Sequence, residues 1–244
     1  MSIIVFQHSP LGTPGRLGLT LRDHGFRMDI RRLDLPATRT TPHVPADFDN
    51  VDGVISLGGP QNVGDDLPWM KPEMEFLKEA HARRLPVIGI CLGHQLLAHA
   101  LGGSVGPMEK PEWGFPAVDQ HPIANTDIIL VGVPWSSRQF QAHGQEVKQL
   151  PAGATLLQSS HVCQVQAFRA GLRTYAFQYH FECDREMVRN FAESSVDELS
   201  GIGLSPADIK AQADEHYDRF AVIADRLCVN LATFLLGAGK KAVA

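Results

Sequence analysis

The chain has 244 residues, 44% hydrophobic and 20% charged, with a formal net charge of −5. This length is enough for one α/β domain, or a domain with a small appendage, to bury its core without staples. The mild acidity and the lack of a basic cluster exclude nucleic acid as the main partner.

Met1 to His8 has no basic n-region, and Ile3 to Gln7 reads as a first strand rather than a signal peptide. Leu17 and Leu21 open a helix that ends near Gly25, and Phe26, Met28 and Ile30 alternate as an edge strand would. Pro36 to Asp47 is a loop, and Asp52 to Leu57 is a strand that runs into the turn Gly58-Gly59-Pro60. A helix is expected over Glu73 to Arg84, with Pro72 at its first position. Val87, Ile88 and Ile90 form a buried strand, and Leu96, Leu97, Ala100 and Leu101 follow at helical spacing.

Beyond Gly103 short strand-like stretches dominate: Phe115 to Val118, Asp127 to Val131, Val147 to Leu150, Thr155 to Gln158, Val162 to Phe168 and Thr174 to Tyr179. Asp184 to Leu199 reads as a helix, and Ser205-Pro-Ala-Asp208 opens another with a capping box. Phe220, Ile223, Leu227, Leu231 and Phe234 form one stripe of that last helix, and the tail from Gly237 is expected to fray. The early strand–helix alternation predicts a doubly wound, mostly parallel α/β sheet flanked by helices, with a β-rich second half and a helical C-terminal extension. Phe220 to Leu236 is interrupted by Asp225, Arg226 and Asn230, so no membrane span is expected. A cytoplasmic location follows as the expectation.

Gly89-x-Cys91-x-Gly93 sits between the buried strand and its helix, the spacing of a nucleophile elbow with sulfur in place of hydroxyl. Glycines on either side remove the Cβ atoms that would clash at so sharp a turn. The helix N-terminus favours negative charge at Cys91, and N–H groups starting with that of Leu92 can hold an oxyanion. Cys163, Cys183 and Cys228 read as packing residues, and without a C-x-x-C pair no metal site or disulfide framework is indicated. A thiolate nucleophile needs a base, and the base needs an orienting group. His180-x-Glu182 ends an apolar strand, where residues i and i+2 share a side, so Glu182 can hold one ring nitrogen while the other faces Cys91. Gln95 lies one turn beyond Cys91 on the same side, as a substrate contact or as a solvent-facing helix residue. His94 reads as structural, and His81 and His99 as helix-surface residues.

Taken together, Gly58-Gly59-Pro60, Gly89 to Gln95 and Gln178-Tyr-His-Phe-Glu182 resemble the class I (triad) glutamine amidotransferases, in particular the stand-alone relatives of the GMP synthase amidotransferase domain. The resemblance runs from about Ile3 to about Glu193. It implies a flavodoxin-like architecture, with residues 1–199 as the amidotransferase domain and 200–244 as a helical extension packed on it. It implies Cys91 as nucleophile, His180 as base and acid, and Glu182 as its carboxylate. Gly59 and Leu92 become the oxyanion donors. Gly58, Gln95, Gly144 and Gln145 become substrate contacts, the last two through Phe140-Gln-Ala-His-Gly-Gln145, and Glu112-Trp-Gly114 matches the family's E-x-G element.

The resemblance implies glutamine or another γ-glutamyl small molecule as substrate, without metal or cofactor. It leaves open a partner synthase, a homodimer, a free-standing hydrolase of γ-glutamyl peptides, and a non-catalytic regulatory protein. The sequence departs from the family twice: Phe181 replaces the usual proline of His-Pro-Glu, and Gln61-Asn62 follows the Gly-Gly-Pro turn where x-Ser is common.

Overall fold

The first strand, β1 (Ser2–Gln7), is apolar on both faces. Ile3 and Val5 join one buried cluster, Ile4 and Phe6 another. Only a strand covered on both sides buries consecutive residues in this way, which fixes a doubly wound layer arrangement. The computed structural model describes residues 2–38 and 43–237. After β1 come α1 (Gly15–Asp23), β2 (Met28–Arg32), β3 (Val51–Ser56), α2 (Met70–Ala82), β4 (Val87–Ile90) and α3 (Leu92–Ala100). The second half holds β5 (Ser104–Gly114), β6 (Ala117–Gln120), β7 (Ser136–Arg138), β8 (Gln141–Gln149), β9 (Thr155–Ser160), β10 (Ala167–Ala170) and β11 (Thr174–Phe177). The helices α4 (Arg185–Ser194), α5 (Val196–Gly201) and α6 (Pro206–Asn230) follow, and Leu231–Leu236 continues α6 in wider π-type turns.

Nine strands form one sheet in the order β2-β1-β3-β4-β11-β10-β9-β6-β7. The five from β2 to β11 are parallel, and the rest antiparallel. The β-rich second half therefore extends the sheet, while β5 and β8 pair apart from it. Helices α1, α4 and α6 share the cluster containing Ile3 and Val5, and α2 and α3 the one containing Ile4 and Phe6. The carboxyl ends of β1, β3, β4 and β11 point the same way, so the chain that leaves each arrives at one place, as open parallel sheets require of their ligand sites.

Several expectations are corrected. Helix α2 starts three residues before Glu73, and Pro72 is its third residue, tolerated because first-turn N–H groups have no intrahelical partner. Asp127–Val131 is no strand: Ile128–Leu130 is a 3₁₀ turn, with the Asp127 carboxylate accepting from the Ile129 N–H at 3.0 Å. The expected helix over Asp184–Leu199 breaks at Ser195 into α4 and α5. Ser194 Oγ donates to the Phe191 carbonyl at 2.9 Å, a bond back to the preceding turn that bends helices. The π-type turns shift the last register, so Leu235 and Leu236 are buried and Phe234 is exposed. The long strand β5 carries no clear periodicity and was not foreseen. The capping box of α6 stands as expected, with Ser205 N–H to Asp208 Oδ2 at 2.8 Å. The expected fraying after Gly237, and residues 39–42 of the expected loop, lie outside the described residues.

Candidate active site

Cys91 follows β4 directly and precedes α3, with φ 51° and ψ −105°, a region that L residues avoid. Three hydrogen bonds hold it there: Cys91 N–H to Phe177 O at 2.8 Å, Gly93 N–H to Leu57 O at 3.1 Å, and Gln95 N–H to Cys91 O at 3.1 Å. The glycine spacing has a steric cause. A Cβ on Gly89 would stand 2.6 Å from the Gly93 carbonyl oxygen, and one on Gly93 would collide with the Ser56 carbonyl.

His180 Nδ1 lies 2.7 Å from Glu182 Oε1, and both side chains are buried. The ring is fixed by Phe191, edge-on at 5.3 Å between centroids, and by the backbone bond from His180 N–H to Phe140 O at 2.9 Å. Burial works against charge on His180, but the Glu182 carboxylate and then the Cys91 sulfur outweigh it, and the imidazole is held well above its ordinary range. Phe181, where the resemblance expects proline, is fully buried against Phe177 at 5.1 Å, so the substitution fills the core and leaves the pair intact.

A Cβ on Gly58 would stand 2.6 Å from His180 Cε1 and 3.4 Å from Cys91 Cβ. The Gly58-Gly59 turn therefore lies directly against both side chains. A Cβ on Gly59 would lie 2.6 Å from His8 Cβ and 3.1 Å from Leu92 Cδ2. The N–H groups of Gly59 and Leu92 have no hydrogen-bond partner among the described residues.

These residues open into a cavity of about 370 Å³. Its walls are Ser9 to Leu11 after β1, Gly58 to Pro60, Cys91, His180, Trp113 and Ala142, and Phe191, Ser194, Ser195 and Glu198 at the α4–α5 corner. The Ala142 carbonyl is 3.9 Å from Cys91 Sγ.

Gln95 and Gln145 meet one layer behind this wall, and Gly144 precedes Gln145 on β8, next to the cavity-lining Glu198. Gln95 is buried, and its Nε2 donates to Gln145 O at 2.9 Å and Gln178 Oε1 at 3.1 Å. His143 Nδ1 also meets Gln145 O, at 2.9 Å, while its Nε2 meets Glu112 Oε2 at 3.1 Å. The solvent-facing alternative for Gln95 is thus excluded. Asn62 N–H donates to Asp65 Oδ2 at 2.8 Å, so that departure serves its own turn, and Gln61 Nε2 donates to His8 O at 3.0 Å.

Two groups of donor atoms have metal-like spacing, Glu112–His143–Cys163 and His180–Glu182–Cys183. Burial pushes the Cys163 thiol far up and the Cys183 thiol up to about 12, so both sulfurs favour the protonated form. Each histidine already has a carboxylate partner, and both groups act as hydrogen-bond networks. His94 is fully buried on Phe168, consistent with a structural role, and His99 is exposed. His81, half-buried, lies 2.8 Å from Thr174 Oγ1 and is less of a surface residue than expected. Trp113 lines the cavity, whereas Trp69 packs on His8 at 5.0 Å. Sequence reasoning missed His8, Glu73 and the α4–α5 corner. None belongs to a motif, and only the turn after β1 had a local signal.

The family model for class I glutamine amidotransferases matches residues 17–191. The chain belongs to this family. It is 33% identical over 176 residues to a glutamine-hydrolyzing GMP synthase subunit of Sulfolobus acidocaldarius, an alignment spanning 69% of this chain and 90% of that one. It is 32% identical over 149 residues to gamma-glutamyl peptidase 3 of Arabidopsis thaliana, across 58% of this chain and 59% of that protein. Among solved structures, the glutamine amido transferase of Methylobacillus flagellatus superposes with a TM-score of 0.84 at 28% identity, covering 100% of this chain and 97% of that one. The fold is that of the class I amidotransferases, and no helix among the described residues is long and apolar enough to cross a membrane.

Proposed function

We propose that the chain hydrolyses the γ-carboxamide of glutamine or of another γ-glutamyl compound, with Cys91 as nucleophile, His180 as acid and base, and Glu182 as the carboxylate that orients His180. The observation that carries this reading is the shared cavity: Cys91 and the carboxylate-held His180 open into it beside the Gly58-Gly59 turn. The Cys91 sulfur, its proton passed to His180, attacks the amide carbon. The oxyanion forms beside the unpaired Gly59 and Leu92 N–H groups. His180 returns the proton to nitrogen as the C–N bond breaks, which leaves a γ-glutamyl thioester and releases ammonia or an amine. A water deprotonated by His180 then cleaves the thioester, releasing glutamate and restoring the thiol. Gly144 meets the substrate's α-end, Gln95 and Gln145 fix that stretch of β8 from behind so that it can hold the substrate, and Gly58 packs beneath the reacting amide.

Residues 1–199 are the catalytic unit and 200–244 an extension packed on the same domain, a packing supported by the single apolar cluster that joins Leu227 and Leu231 to Ile3 and Cys91. We favour a free-standing cytoplasmic hydrolase over an ammonia-supplying component of a synthase. The matched Sulfolobus protein lines up with 69% of this chain, whereas the Methylobacillus protein spans all of it, the C-terminal helices included. The purified chain, incubated with glutamine and with γ-glutamyl amides and peptides, should release glutamate with the matching ammonia or amine. Negligible release alone, restored by a separate synthase, favours the ammonia-supplying reading.

A further inference from the structure

We infer that Glu198 is a specificity residue of this site, the carboxylate that receives the α-ammonium group of a γ-glutamyl substrate; the inference rests on the function proposed above. Strand β8 passes Cys91, with the Ala142 carbonyl 3.9 Å from Sγ and Ala142 in the cavity wall. Residues i and i+2 of an extended strand share a side, so Gly144 faces the same way one step further on, roughly 6.6 Å along the strand. That displacement suits the stretch from the amide carbon of a γ-glutamyl group to its α-nitrogen. Gly144 has no side chain, and the space over it is bordered by α5 and β5: Glu198 Oε1 and Pro111 Cγ each stand 3.7 Å from where a Gly144 Cβ would be, and of the two only Glu198 is charged.

Glu198 lines the same cavity as Cys91 and His180. Its carboxylate has no hydrogen bond or ion pair among the described residues. The cavity wall contains no lysine or arginine, so a cationic ligand group finds one free anion and no competing charge of its own sign except on His180. The break at Ser195 makes this possible, since it turns α5 away from the line of α4 and presents Glu198 to the cavity. The family match ends at residue 191, before Ser194, Ser195 and Glu198. The α4–α5 corner thus lies beyond the matched catalytic segment, where discrimination between γ-glutamyl compounds can differ without altering the chemistry.

The test compares wild type, Glu198→Gln and Glu198→Asp on two substrates that differ only in the α-amino group: glutamine and the monoamide of glutaric acid. Wild type should prefer glutamine by about tenfold or more in kcat/KM, the scale of one charge-assisted contact. Glu198→Gln should raise KM for glutamine by about tenfold, leave kcat within about twofold, and leave the des-amino amide unaffected. Glu198→Asp should recover part of the preference, which a merely structural role would not produce. An undiminished preference in Glu198→Gln overturns the assignment of Glu198 alone. No turnover of either substrate by wild type, and no adduct on Cys91 with a γ-glutamyl diazo-ketone, overturns the hydrolase reading and this inference with it.

Discussion

His8 Nε2 and Glu73 Oε2 lie 2.9 Å apart with both side chains wholly buried, directly behind the Gly58-Gly59 turn. Ser56 Oγ donates to the other carboxylate oxygen at 2.7 Å. The pair ties the end of β1 to α2 and sets the surface on which Gly59 rests. Removing one partner leaves the other buried polar group without its hydrogen bond, at about 1–3 kcal/mol. Glu73→Ala should lose stability on that scale in urea denaturation and should also lower kcat, because the turn loses its support. Glu73→Gln keeps the shape and some of the bonds, and should cost less on both counts. A Glu73→Ala protein as stable and as active as wild type would show that the turn stands without the pair.

Cys91 sits at φ 51° and ψ −105°, and such backbone strain costs on the order of 1–3 kcal/mol. Cys91→Ala should abolish γ-glutamyl hydrolysis while leaving the fold in place. Cys91→Gly should be equally inactive but more stable than Cys91→Ala, since glycine takes this conformation without a Cβ penalty. Thermal unfolding of the two inactive variants makes the comparison free of any catalytic effect. Alanine matching or exceeding glycine would mean that the elbow stores no strain.

The elbow and the His-x-Glu pair were legible as short motifs, but their surroundings were not. Gly89 is forced by the Gly93 carbonyl of its own turn and Gly93 by the Ser56 carbonyl on β3. The expected strand end is corrected, since β11 stops at Phe177 and Glu182 reaches His180 through a turn in which Cys183 N–H meets His180 O at 3.4 Å. The parallel half of the sheet was legible from buried β-branched runs alternating with helical spacing. What escaped the sequence was long-range. Glu73 looks like a first-turn acid on an exposed helix, yet it is buried through partners 65 and 17 residues away. Asp127 to Val131 looked like a strand because its apolar residues hid a cap that Asp127 also shares with Arg169 and Tyr175. Glu198 carries no motif at all, and its place depends on a helix break that the apolar pattern of α4 does not announce.

Glu182 leads the influences that raise His180 against the opposing effect of burial, which fixes the direction of a pH test. In Glu182→Gln burial is left largely unopposed and the imidazole falls. If imidazolium protonates the leaving nitrogen, the alkaline limb of kcat/KM should move to lower pH in this variant. Stability follows the same sign. A histidine raised in the folded state contributes stability that is fully present below about pH 6.5, the ordinary value, and is lost as pH rises through the raised one. The stability gap between wild type and Glu182→Gln should therefore be widest on the acid side and narrow at alkaline pH. A gap independent of pH contradicts the assignment of the charge to His180.

His94 predicts the opposite behaviour on the acid side. Burial pushes it down to about 3, the nearby His143 adds to this, and the Gln178 side chain opposes it weakly. A histidine lowered in the folded state binds its proton more readily when unfolded, so its stability contribution is complete above about pH 6.5 and is lost as pH falls toward about 3. The loss should reach a few kcal/mol on the order-of-magnitude scale of such shifts. His94→Leu removes the titrating group while keeping an apolar contact with Phe168, whose ring centroid is 5.2 Å away. Its urea midpoint should fall less steeply than that of wild type between pH 6.5 and acid unfolding, whatever its stability at neutral pH. Parallel curves for the two proteins would place the acid sensitivity elsewhere, with the remaining buried histidines as the next groups to vary.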